Sequence, residues 1–142
     1  MFFACSDYGT GTTGAEVGKG HARTVQANDV QGRLAHAFAQ LALGPNASEE
    51  RAGYGWAMGP DELVAPTSVT LTGGLLTVDF PAPIQTTGVE SGRIFATLYA
   101  LRSTAFQAAE VEAVRFTAAG DCALFWNLFE GSCHLVKRGD AP

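Results

Sequence analysis

The sequence predicts an α+β fold: a mixed β-sheet of about four to six strands, two main helices on one face, and a short C-terminal helix. Two stretches carry apolar residues at helical spacing, and "SVTLTGGLLTVDF" alternates apolar and polar residues around a Gly-Gly pair. Around them the elements run strand, strand, helix, hairpin, helix, strand, short helix, strand. That order places helices against one layer of sheet.

The first strand is read over residues 1–7, and "YGTGTTGAEVGKG" after it is a flexible loop rich in Gly and Thr. "HARTVQ" is a second strand. In "NDVQGRLAHAFAQLALGP", Val30, Leu34, Phe38 and Leu41 form one apolar stripe. Asn28 or Asp29 can cap that helix, Gly44 can turn left-handed at its end, and Pro45 stops it. A helical turn capped by Asn46 or Ser48 follows. The next stretch, "GYGWAMGP", is too interrupted by Gly and Pro for a regular element.

The hairpin is the clearest β signal. Gly73 and Gly74 can adopt the positive φ angles of a two-residue turn, and Leu76, Val78 and Phe80 carry the apolar face of the returning strand. A second long helix runs from about Val89 or Ser91 to about Gln107, with Ile94, Leu98, Leu101 and Ala105 as its stripe. Phe95, Tyr99 and Phe106 broaden that stripe. "VEAVRF" is a strand with Val114 and Phe116 on one face, "CALFWNLFE" a short helix, and "CHLVKR" a last strand. No repeat or second domain is visible, so residues 1–142 read as one domain, with 8–20 as loop and 138–142 as tail.

Composition excludes several functions. Net charge is −5 and no basic stripe exists, which disfavours phosphate-driven nucleic-acid binding. No apolar run approaches the roughly 18 residues of a membrane-spanning helix. The sequence has no G-x-S-x-G elbow, no H-E-x-x-H and no phosphate loop ending in Gly-Lys-Ser/Thr. His21, His36 and His134 fall on three different elements, His36 off the main helical stripe and toward solvent. Neither a metal nor another cofactor is expected.

Three cysteines admit three single bridges. Proximity favours Cys122–Cys133, which would staple the short helix and imply an oxidising compartment. The competing reading is three reduced, buried thiols. In "MFFACSD", only four residues precede Cys5, too few for a signal peptide, so Cys5 reads as an unpaired thiol on the first strand. Any signal or lipid anchor is expected upstream of Met1.

Binding candidates are few. Tyr54 and Trp56 sit where glycines prevent regular burial, although both could instead fold back into the core. Asp79 alternates with Val78 and Phe80 and so points away from their face. It lines a groove, pairing with Arg93, or simply meets water.

The segments "LAHAFAQLALGP", "SVTLTGGLLTVDF" and "SGRIFATLYALRSTAFQAAEVEAVRF" together resemble the GerMN domain of sporulation and spore germination proteins. The matching pieces are Leu41 to Pro45, Val78 to Phe80, Thr97-Leu98 and Val111 to Phe116, and the resemblance spans nearly the whole chain. It departs from the family in its long glycine-rich first loop, its "YGWAMGP" segment and Tyr99. The resemblance implies a bacterial, extracytoplasmic, non-catalytic module that engages an envelope protein or a peptidoglycan-related ligand. It brings Thr97 into the candidate set. The alternatives are a small cell-wall-active hydrolase and a small-ligand sensor. A hydrolase needs ionisable groups such as Asp79, Glu90 and the histidines to converge in one cleft. A sensor needs a formed apolar pocket of several hundred Å³.

Overall fold

A computed structural model describes residues 2–5, 19–20, 27, 29–55, 62–85 and 91–140, with backbone alone for 2–5, 19–20 and 91–93. The second strand expected at "HARTVQ" lies outside the described residues. The elements are β1 (Phe2–Cys5), β2 (Lys19–Gly20), α1 (Val30–Leu43), α2 (Ala47–Arg51), β3 (Tyr54–Gly55), β4 (Ser68–Thr72), β5 (Leu75–Phe80), α3 (Ser91–Ala105), β6 (Ala113–Ala118), α4 (Cys122–Trp126) and β7 (Val136–Lys137). A 3₁₀ turn, Asn127–Phe129, extends α4.

The described strands form two sheets rather than one. A four-stranded mixed sheet has the order β4-β5-β6-β7, and a smaller one the order β2-β1-β3. β4 and β5 are antiparallel, with Val69 opposite Val78 and Leu71 opposite Leu76. β5 and β6 are parallel, and α3 makes the crossover between them. The smaller sheet includes Lys19–Gly20, expected in a loop, and Tyr54–Gly55, expected to be irregular. Both are two-residue pieces paired to β1. Backbone pairing of that length needs neither apolar alternation nor strand propensity, so no sequence pattern announces it.

Helix ends follow local chemistry. The Asp29 carboxylate accepts from the Gly32 amide at the start of α1, and Gly44 closes it at φ 72°. Asn46 and Glu49 form a reciprocal capping box on α2, each side chain accepting from the other's backbone. Gly73 and Gly74 take φ of 54° and 80° in the hairpin turn.

The core lies between the inner face of the four-stranded sheet and the helices. Leu76, Val78 and Phe80 of β5 and Val114, Phe116 and Ala118 of β6 are buried there with Leu34 and Phe38 of α1 and Leu101 and Ala105 of α3. Phe116 is the hinge of the packing. Its ring meets Phe38 edge-on at 6.5 Å and stacks on Phe125 of α4 at 5.0 Å. Aromatic contacts of this kind add to the area they bury.

Two features secure the margins. The Gln31 side chain accepts from the Leu71 amide at 2.9 Å, so α1 caps part of the outer edge of β4. Arg138, expected where the last strand meets the tail, lies just past β7 and donates to the carbonyls of Phe106, Ala108 and Val111. It lies over the Phe106 ring at 5.2 Å, tying the chain's end to the exit of α3.

Candidate functional site

α3 departs from the expected stripe, and the departure makes a site. Its buried positions are Ala96, Thr97, Ala100, Leu101, Thr104 and Ala105. These are mostly small residues, which let the helix approach its neighbours closely. Ile94 and Leu98 are half-buried, and Phe95 is 65% exposed. Leu101 and Ala105 thus belong to the core as expected, whereas Ile94 and Leu98 turn toward a cleft.

That cleft, of about 370 Å³, lies between α3 and the segment that follows α4. One wall is the α3 stripe Ile94, Leu98 and Arg102, at i, i+4 and i+8. Trp126, Leu128 and Phe129 supply the other. The Trp126 ring meets Phe129 edge-on at 5.7 Å. His134 also lies against it at 4.0 Å, with Nδ1 2.7 Å from the Ser132 carbonyl. At the rim, an Arg102 Nη2 donates to the Asp140 carbonyl.

The cleft wall is covalently secured. Cys122 and Cys133 are joined, Cα to Cα 5.3 Å, across 11 positions. Their loop contains Trp126, Leu128, Phe129, Glu130 and Gly131, all of which line the cleft. Asp121 caps α4 by accepting from the Ala123 and Leu124 amides, which fixes the orientation of the helix carrying Trp126. Trp126 itself is 3% exposed, and its indole Nε1 has no acceptor among the described residues.

Of the sequence-selected binding residues, Tyr54, Asp79 and Thr97 do not line this cleft. Asp79 is half-buried on the opposite face of the sheet, where its Oδ1 accepts from the Thr117 hydroxyl at 2.5 Å and the Gly120 amide at 2.8 Å. Its carboxylate secures the turn after β6. The Arg93 side chain lies outside the described residues, as does Trp56. Tyr54 is half-buried and packs against the core, while Thr97 is fully buried within α3. His36 is half-buried on α1, not solvent-exposed, and His134 belongs to the cleft. His21, Glu90 and the Cys5 side chain lie outside the described residues.

Ile94 and Leu98, expected in the core stripe of α3, are half-buried at the cleft, while Trp126 is a core residue that also lines it. A signal was nonetheless present. α3 carries two competing stripes, one large and apolar, one of Ala and Thr, and only one can face a closely packed interior. Among the described residues no helix is long and apolar enough to cross a membrane, and no three His, Cys, Asp or Glu side chains could hold a metal ion. Comparison with protein-family models, curated proteins and solved structures gives no match.

Proposed function

We infer that this chain is a non-catalytic, extracytoplasmic binding module of the bacterial cell envelope, of GerMN type, and that its contact site is the α3 cleft. The observation that carries this reading is the outward placement of Ile94, Phe95 and Leu98 on a helix whose interior positions are small. Exposed apolar surface beside a formed cleft marks binding sites more often than bare scaffold. The Cys122–Cys133 bridge supports an oxidising compartment, where such bonds persist. The GerMN resemblance supplies the expected class of partner, an envelope protein or cell-wall material. The hydrolase alternative has less support, because Asp79 is engaged in a turn on the face away from the cleft.

The test is retention from detergent-solubilised bacterial envelopes by the immobilised chain, run beside purified peptidoglycan. The module is expected to retain a protein or glycan, and Phe95→Arg should abolish that retention without changing the melting temperature. Retention by neither material, or equal retention by the variant, would overturn the reading.

A further inference from the structure

We propose that the α3 cleft holds a small organic ligand with a flat, mainly apolar body and its polar groups confined to one end. This rests on the cleft being the binding site, but gives it a small ligand where the module reading expects protein or cell-wall material, and the tests below separate the two occupants.

The size of the cleft is the first ground. About 370 Å³ falls within the range of small-molecule sites, at its lower end. The wall from Ile94 to Arg102 runs eight residues along α3, roughly 12 Å at 1.5 Å per residue. That length suits a ligand of two or three fused or linked rings. It is short for an amphipathic helix, which presents anchors over i, i+3, i+4 and i+7 to an open groove. The Arg102–Asp140 contact also stands at the cleft's end, since both residues line the smaller hollow beyond it. A long chain passing through would have to break that contact.

The distribution of polarity is the second ground. Along α3 the wall runs apolar at Ile94 and Leu98 and becomes cationic only at Arg102. Opposite, Trp126 is 3% exposed and held among other rings, whereas Phe129 is only half-buried and is the aromatic surface a flat guest would meet. The ionisable groups at the cleft are Arg102, His134, Glu130 and Asp140, a mixture of signs that does not select a strongly charged ligand.

The protein carries its own reporter. It has two tryptophans, so Trp56→Phe leaves Trp126 as the only indole. Titration of the full chain with N-phenyl-1-naphthylamine, an uncharged aromatic amine, should show saturable energy transfer from Trp126 at one probe per chain. Leu98→Arg places a charge in the apolar stretch and should weaken binding by about tenfold or more. Phe95→Arg, at an exposed position, is the variant least able to disturb folding, and should weaken it several-fold with an unchanged circular dichroism spectrum. Absence of saturable transfer, or equal affinity in both variants, would overturn the proposal. Should the chain retain an envelope protein in a Phe95-dependent manner yet fail to bind the probe, the ligand chemistry is wrong and the module reading stands. Probe binding without envelope retention has the opposite meaning.

Discussion

Asp79 shows how one carboxylate can be structural where sequence alone leaves two roles open. It points away from the core as its alternation with Val78 and Phe80 requires. It is half-buried rather than fully solvated, and its partners are structural. It joins β5 to the turn after β6, where Ala119 and Gly120 take φ of 51° and 78°. The Thr117 hydroxyl it engages belongs to a residue only 6% exposed, so removing the carboxylate strands a buried donor. Asp79→Ala should therefore destabilise the fold by about 1–3 kcal/mol, read as a lower urea midpoint at unchanged slope. Asp79→Asn keeps an acceptor oxygen and should lose less. Neither substitution should alter binding at the α3 cleft, which separates the structural role from a functional one.

At the scale of elements, the disulfide and α3 act on the same cleft from opposite sides. The bridge spans 11 positions, and its removal should lower stability by about 2–3 kcal/mol through the freedom returned to the unfolded chain. Paired Cys122→Ser and Cys133→Ser substitutions should show this as a reduced melting temperature, reproduced in the unaltered protein by reductant. Where periodicity and local chemistry act within one segment, the elements were legible in the sequence. α1 with its Asp29 cap, the Gly73-Gly74 hairpin and β6 stand where their patterns put them. The cleft was less legible, because the stripe at Ile94, Leu98, Leu101 and Ala105 has good helical spacing whichever part of it is buried. Only the neighbours decide that Ala100 and Thr104 go inward. The two-residue strands β2 and β3 were illegible for a related reason, since their pairing is determined by β1 and not by their own residues.

For the whole molecule, the α+β class followed from element order, but the division of strands into two sheets did not. Order constrains which strands are neighbours only when connections are short, and β1 finds its partners across long intervals of sequence. In the larger sheet β5 and β6 each have a strand on both sides, whereas β4 is an outer strand among the described residues. Such a strand offers amides and carbonyls to any passing chain. The Gln31 contact to Leu71 therefore acts on colloidal behaviour as well as on folding. A single glutamine occupies the amide through which a second copy could begin to add its own strand. Gln31→Ala should leave the monomer folded but raise its concentration-dependent self-association in analytical ultracentrifugation. An unchanged sedimentation profile at high concentration would show that other parts of the surface keep the copies apart. On this view α1 is a guard as well as a layer of the core, and solubility in a crowded compartment depends on a side chain that contributes little to the interior.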